Sequence, residues 1–359
     1  MTSFPREDYR PLRPYDPGRI PIPLDLSDNT NLWGAHPAAL EVVRMAPSDA
    51  LTRYPSVYAT ELKEAVASRF GVPSENVATG CGSDDLIDSV FRAATLPPGR
   101  MSFPAPSFSM ATIFARMNAL EAFSVPWTKA EVDPARLLLD EPDVVYLCRP
   151  NNPTGASLPS DWIRTLLALG GPSGPLVILD EAYADFGEDS FLEEAPSWDR
   201  LLVLRTFSKL YGLAGLRIGF AVGSEILVEE VEKSRGPYKV GQVAERAAVA
   251  ALHDTSGWAR RIRDETVRNR ERLAGELRAR GLKPLPSQGN FILIPVEPAS
   301  AIEVNRALRD QGVAGRPFPR LPDIGDALRI TIGPWDLMER FLAALDQLFE
   351  APTRGGKKP

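Results

Sequence analysis

Cysteine and histidine are almost missing from this chain. Cys81 and Cys148 form no CxxC pair, which excludes a disulfide framework and a thiolate zinc site. His36 and His253 are the only histidines, and no HExxH occurs, so a Ser-His-Asp triad would have to use one of two unremarkable positions. No stretch approaches the roughly 18–20 uninterrupted apolar residues of a membrane helix. The first residues, MTSFPREDYRPLRPYDPGRIP, carry prolines and acids in place of the apolar core of a signal peptide, so the cytoplasm is the expected compartment. An excess of positive charge is absent as well. Lys and Arg number 41 against 47 Asp and Glu, for a net charge of −6, which argues against nucleic acid or an anionic membrane as partner. Chemistry in this chain falls to Lys, Asp, Tyr and Arg.

What is present is the ordinary material of a folded protein, with 44% apolar and 25% charged residues in 359 positions, enough for one large domain and a smaller one. Residues 1–36 are rich in Pro, Arg, Asp and Asn without helical periodicity and read as an extended arm. Asp85–Thr95 sets Leu86, Ile87, Val90, Phe91 and Ala94 at amphipathic-helix spacing. Val144–Cys148, Leu176–Leu179 and Leu201–Leu204 are unbroken apolar runs, the pattern of strands covered on both faces. Helix-like stretches between them imply crossover connections and a mostly parallel sheet. Further on, Trp258–Arg280 has an apolar stripe of Trp258, Ile262, Leu273 and Leu277 within a charged helix. Asn290–Val296 and Leu328–Ile332 read as strands, and Met338–Phe349 as a closing helix. The expectation is an α/β protein with an arm (1–36) packing with the small domain, a large domain (37–245), a small α+β domain (246–352) and a disordered polar tail (353–359).

Each of the three apolar runs ends in polar residues. Arg149-Pro150-Asn151-Asn152-Pro153-Thr154-Gly155 follows the first, Asp180-Glu181-Ala182-Tyr183 the second, and Arg205-Thr206-Phe207-Ser208-Lys209 the third. Ligands of open α/β sheets sit outside the carboxyl ends of the strands, so these clusters converge on one crevice. A lysine, an acid, a phenol and an amide together fit carbonyl–amine chemistry, with the lysine as nucleophile and the polar groups holding a heterocycle.

The run Thr206-Phe207-Ser208-Lys209-Leu210-Tyr211-Gly212-Leu213-Ala214-Gly215-Leu216-Arg217-Ile218-Gly219 resembles the cofactor-lysine signature of fold-type I pyridoxal-5′-phosphate (PLP) enzymes. The resemblance implies a large PLP-binding domain with Lys209 covalently joined to the cofactor. It also implies that Thr206, Ser208 and Arg217 belong to the cofactor site, with Ser208 and Arg217 on the phosphate; a guanidinium fork suits a phosphate dianion. Asp180 and Tyr183 are similar to the family's D-E-A-Y, where the acid pairs with the pyridinium nitrogen and the phenol donates to the ring hydroxyl. Asn152, in Asn-Pro-Thr-Gly, matches the residue that also binds that hydroxyl. Gly80-Cys81-Gly82-Ser83-Asp84-Asp85 resembles G-x-G-S-D-E and opens a helix whose free N–H groups suit an anion, making Gly82, Ser83 and Asp84 phosphate-cup candidates. Phe108 stands where the family stacks an aromatic ring on the cofactor.

Over nearly the whole chain the resemblance is to histidinol-phosphate aminotransferases. Tyr15, in Pro14-Tyr15-Asp16-Pro17-Gly18, matches their P-Y-x-P-G and so a substrate role. Tyr54, in Arg53-Tyr54-Pro55, matches the tyrosine that reaches the neighbouring subunit's phosphate, which implies a homodimer. Arg329, in Leu328-Arg329-Ile330, and Arg316, in Gly315-Arg316-Pro317, are implied as anion contacts for the substrate. The implied reaction is transamination between an amino donor and 2-oxoglutarate, with Lys209, Asp180 and Tyr183 as the catalytic set and no metal. Two segments depart from the family. N-E-N-P-[YF]-G is here Asn29-Thr30-Asn31-Leu32-Trp33-Gly34, and P-F-N-V is Pro237-Tyr238-Lys239-Val240. Asn31 is taken as a substrate contact, with Trp33 narrowing the pocket or favouring an aromatic donor. Aromatic or other amino-acid transamination and a phosphothreonine-type decarboxylase are the alternatives on this scaffold. A PLP-sensing regulator would need a DNA-binding domain ahead of it, for which a 36-residue arm has no room.

Overall fold

The computed structural model describes residues 4–5, 7–14, 16 and 20–350; Tyr15 and the tail at 353–359 lie outside these. After the short strand β1 (Leu24–Asp25), the strands β2 (Val77–Gly80), β3 (Gly99–Ala105), β4 (Leu120–Pro126), β5 (Val144–Cys148), β6 (Leu176–Asp180), β7 (Leu201–Thr206) and β8 (Gly219–Val222) build a seven-stranded sheet. Its order is β2-β8-β7-β6-β5-β3-β4, and every neighbouring pair is parallel except the two made by β8. The apolar runs read as covered strands are these: all residues of β5, β6 and β7 are buried, with apolar clusters packed on both faces. Because β2, β5, β6 and β7 point the same way, Gly80, Cys148, Asp180 and Thr206 end at one edge, where their loops meet.

A second sheet follows, of order β11-β12-β9, from β9 (Phe291–Pro295), β11 (Arg316–Leu321) and β12 (Gly325–Thr331), all antiparallel. The strand β10 (Val313–Ala314) pairs with β1 in parallel, so residues near the chain's start are held against residues beyond 300. Three helices cover this part, among them Ala301–Asp310, which packs on β10, β11 and β12. Trp258–Ala279 buries Trp258, Ile262, Leu273 and Leu277, the stripe expected of it, and Trp335–Glu350 closes the described chain.

Three elements differ from expectation. The helix expected from Asp85 begins at Ser83, because Gly82 at φ +82° turns the chain directly into it. The closing helix starts at Trp335 rather than Met338. Strand β11 had no sequence signal, since Pro317 and Pro319 interrupt it. It survives as an edge strand, where a missing N–H costs no ladder bond.

Candidate active site

The cleft at the carboxyl ends of the parallel strands has a volume of about 610 Å³, and Ser83, Asp84, Phe108, Asn152, Asp180, Tyr183, Thr206, Ser208, Lys209 and Arg217 all line it. Ten residues nominated from the sequence therefore meet in one place. A smaller recess of about 140 Å³ shares Phe108, Asn152, Tyr183 and Lys209 with it and adds Arg316 and Arg329.

At one end is a cup. Gly82 leads into the first turn of the helix Ser83–Ala94, and a Cβ placed on Gly82 would stand 2.7 Å from Nη2 of Arg217. Gly219 closes the back, where a Cβ would lie 2.6 Å from the Ser83 backbone nitrogen. Gly82 is demanded by its positive φ and Gly219 by the close approach of backbone. Arg217 is itself held in the left-handed region at φ +52°, and its Nη2 stands 3.4 Å from the Asp84 carboxylate. Burial pushes the Asp84 carboxyl up, and the positive charges of Arg217 and Lys209 partly offset this. Thr206 and Ser208 face each other, their hydroxyl oxygens 3.0 Å apart, and the Ser208 N–H donates to Thr206 Oγ1 at 3.2 Å. Hydroxyls, helix N–H groups and a guanidinium around an open cup form the donor set of an anion site.

At the other end is a buried acid. Asp180 receives the Tyr146 hydroxyl on Oδ2 at 2.7 Å and the Ala182 N–H on Oδ1 at 3.1 Å. Burial raises its pKa from the usual carboxylate value to about 6, with these two donors opposing the rise. Cys148, its register partner on β5, also lines the cleft; burial holds its thiol well above its ordinary pKa, so it stays neutral.

Between the ends lies Lys209, with Nζ 3.4 Å from the Asp28 carbonyl and 5.3 Å from the Tyr183 ring centre. Burial, reinforced by the charge of Arg329, lowers its pKa to about 8. The fraction of neutral, nucleophilic amine at physiological pH is thereby raised well above that of an ordinary lysine. Tyr183 is edge-on to Phe291 at 5.0 Å, and burial drives its phenol upward. Its oxygen accepts from Asn29 Nδ2 at 3.1 Å and from Asn152 Nδ2 at 3.4 Å, leaving its own proton to donate into the cleft.

Arg329 is buried. It donates through Nη2 to the Ser27 carbonyl at 2.6 Å and through Nη1 to Asn152 Oδ1, and its guanidinium lies over Phe291 and Phe318. Arg316 is its direct cross-strand partner on β11. Two guanidinium groups therefore face one recess, a donor set suited to an anion.

Three nominated or suspected residues stand elsewhere. The Asn31 amide donates to the Leu210 carbonyl at 2.7 Å and accepts from the Trp33 N–H at 2.9 Å, so it braces the loop, while the fully buried Asn29 donates to the Tyr183 hydroxyl. Trp33 donates Nε1 to Glu265 at 2.9 Å and does not line the cleft, so it narrows nothing there. Tyr54 is 85% exposed and stacks on Tyr238 at 5.1 Å, outside its own cleft. Tyr15 lies outside the described residues. In the second unusual segment, Lys239 pairs with Asp85 at 2.8 Å, beside the cup. Residues the sequence reading passed over are Tyr146, Asp28 and Asn29. Tyr146 sits inside an apolar run where it reads as core, and nothing in Asn29-Thr30-Asn31 says which amide turns inward.

The donor set fits PLP. The cup with its demanded glycines suits the phosphate, the buried carboxylate suits a protonated ring nitrogen, and the depressed lysine suits an aldehyde carbon. Comparison with known proteins agrees. Residues 21–345 match the sequence profile described as aminotransferase class I and II. A protein of Rhizobium meliloti named histidinol-phosphate aminotransferase 2 is 37% identical over 344 residues, covering 94% of this chain and 97% of its own. Another of that name, from Archaeoglobus fulgidus, is 33% identical, covering 96% and 100%. In fold, the crystal structure of the histidinol-phosphate aminotransferase from Sinorhizobium meliloti in complex with PLP superposes with a TM-score of 0.85 at 24% identity, covering 98% and 99%. The chain belongs to the class I and II aminotransferases, in the group of the histidinol-phosphate aminotransferases, and is a PLP-dependent transaminase.

Proposed function

We propose that this transaminase moves the amino group of L-histidinol phosphate to 2-oxoglutarate, giving imidazole acetol phosphate and glutamate, as a cytoplasmic homodimer. The names of its relatives support the donor. The observation that carries the reading is the pair Arg316 and Arg329, set opposite each other across β11 and β12 and facing the recess beside Lys209. One site must take a phosphate monoester in one half-reaction and a dicarboxylate in the other, and paired guanidinium groups bind both. On this reading Ser83, Ser208 and Arg217, with the Gly82 turn and the Asp84 N–H, hold the cofactor phosphate. Asp180 holds the ring nitrogen, Tyr183 and Asn152 the ring oxygen, and Phe108 covers a ring face. When bound, the cofactor supplies an electron sink for the carbon that loses its proton. Lys209 Nζ is the base placed to take that proton and return it. Residues 246–352, which carry both arginines, would act as a small domain with the arm 1–36 packed against it.

Histidinol phosphate should exceed histidinol by at least tenfold in kcat/KM, about 1.4 kcal/mol of transition-state binding. Arg316→Ala should erode this preference, with a smaller loss in the glutamate half-reaction than Arg329→Ala causes. Arg329→Ala should harm both, since its guanidinium also positions Asn152. If phenylalanine or tyrosine outruns histidinol phosphate, the donor is wrong. Carbon dioxide release without 2-oxoglutarate consumption would indicate a decarboxylase instead.

The exposure of Tyr54 supports the dimer, since its ring lies outside its own cleft and on this reading would complete the phosphate cup of a second copy. Sedimentation should give a dimer burying more than about 2,000 Å². Tyr54→Phe should weaken cofactor affinity by about tenfold, the effect of one hydrogen bond to a charged group, without dissociating the dimer. A fully active monomer would overturn this.

A further inference from the structure

Asp180 presents a problem that the proposed function leaves open. A carboxylate 3% exposed favours its neutral form, yet it can hold a protonated ring nitrogen only as an anion. Among the described residues, no arginine or lysine forms a salt bridge with it. What touches it is a phenol. Tyr146 and Asp180 stand on adjacent parallel strands, where Cys148 is the register partner of Asp180 and Tyr146 lies two residues back on the same face. The Tyr146 ring is fully buried and packed in the apolar layer under the sheet. Its one polar atom is spent on Asp180 Oδ2, at 2.7 Å.

We propose that Tyr146 is a positioning residue for Asp180: its hydroxyl, presented from beneath the sheet, keeps the buried carboxylate charged and in a single orientation. The phenol serves here because burial and the neighbouring Asp180 charge both push its own ionisation well up, so it remains a donor at every working pH. The other groups facing Asp180 do not replace it. On β5, Cys148 is neutral, and at the start of the helix Ser83–Ala94, Asp84 opposes a second negative charge. Lys209, after β7, favours the anion only through its charge, and that charge is half lost near pH 8. On the loop after β6 the Ala182 N–H binds Oδ1, while Tyr183 turns its oxygen to Asn29 and Asn152. Removal of the Tyr146 hydroxyl therefore leaves one hydrogen bond to the carboxylate where there were two.

The proposal rests on the assignment of Asp180 to the ring nitrogen, and one experiment separates the two. The dissociation constant of PLP from apoenzyme is measured from about pH 5 to about pH 9, where Asp180 and Lys209 titrate. The ionisations of the cofactor itself are common to all variants and cancel in the differences. In the wild type, affinity falls as the pH drops through the Asp180 transition near 6. In Tyr146→Phe, which keeps the ring and its packing, the break should move up by about one pH unit, the effect of one hydrogen bond to a charged group. Binding is then about fivefold weaker near pH 6, approaching tenfold below it, and unchanged near pH 9. A purely structural role for the ring would lower affinity equally at all pH or not at all, and either result overturns the proposal. Site-specific 3-fluorotyrosine at 146, a stronger donor of the same shape, should move the break down; an unmoved break there also counts against it. Asp180→Asn should erase the Asp180 break altogether. If it keeps the wild-type profile, the assignment of Asp180 falls and the Tyr146 proposal with it. If it erases the break while Tyr146→Phe leaves it unmoved, only the Tyr146 proposal falls.

Discussion

Lys209→Ala is expected to abolish both the visible absorbance of the cofactor-loaded enzyme and its turnover. The two losses share an atom. Among the described residues, Nζ of Lys209 is the only side-chain amine lining the cleft between the glycine-walled cup and Asp180, and on the proposed reading it serves as both the attachment point and the base. The loss in kcat should reach at least about 10⁴-fold, the upper range for removing a positioned acid–base group, with the covalent role lost in addition. The fold should survive, because the amine is bonded only to the Asp28 carbonyl at 3.4 Å, and shedding a buried cation is not costly. Attachment of the aldehyde requires the neutral amine. With a pKa of about 8, about a tenth of Lys209 is neutral at pH 7, against roughly one part in three thousand at the ordinary lysine value. The rate at which wild-type apoenzyme takes up the cofactor should therefore rise with pH and level off above about 8. A rise continuing toward the ordinary lysine range would show that the amine is not depressed. Retention of the absorbance in the alanine variant would place the attachment on another lysine.

How far the sequence foretold this site depends on the kind of residue. Strands β5, β6 and β7 were legible because apolar runs with both faces buried differ from any amphipathic pattern. The polar residues directly beyond them then had to meet at one edge, and Asn152, Asp180 and Lys209 do. The helix Ser83–Ala94 was legible from its periodicity, and its start from Gly82 once φ is known. Residues whose roles depend on pairing between distant segments were not legible. Asn29 bonds Tyr183 across 154 positions, and its backbone is held by Thr331 across 302; nothing local separates it from Asn31. Tyr146 was hidden for the opposite reason. In an apolar strand a tyrosine reads as bulk, and only the register of β5 against β6 shows its hydroxyl meeting Asp180. The opposition of Arg316 and Arg329 was likewise invisible, because β11, with its two prolines, carries no strand signal of its own.

Asp180→Asn should cost activity and gain stability, and the two effects together identify its task. The amide is nearly isosteric and its oxygen can still accept from Tyr146, while its NH2 no longer accepts the Ala182 N–H, so packing is kept while the negative charge and one hydrogen bond are lost. Without that charge the ring nitrogen loses its proton-holding partner, and kcat should fall by about 10³-fold, the scale on which one preorganised electrostatic group acts. Near-normal turnover would show that the ring nitrogen needs no carboxylate here. The stability effect follows from the displaced pKa. Asp180 is raised in the folded chain to about 6 from the ordinary 3.8, so between those values the folded state holds a proton that the unfolded state has released. The stabilisation from that proton is complete below the unfolded value and lost as the pH rises through about 6. At pH 7 the wild-type apoenzyme therefore carries the cost of a buried charge, at most about 3 kcal/mol for a shift of this size, and Asp180→Asn is free of it. Thermal denaturation of the two apoenzymes should show the variant higher in Tm at neutral pH, with the gap closing toward about pH 4, where wild-type Asp180 is protonated in both states. A gap that does not change with pH would mean that the buried carboxylate is already paid for elsewhere in the site, and that its charge is not what the cofactor's arrival relieves.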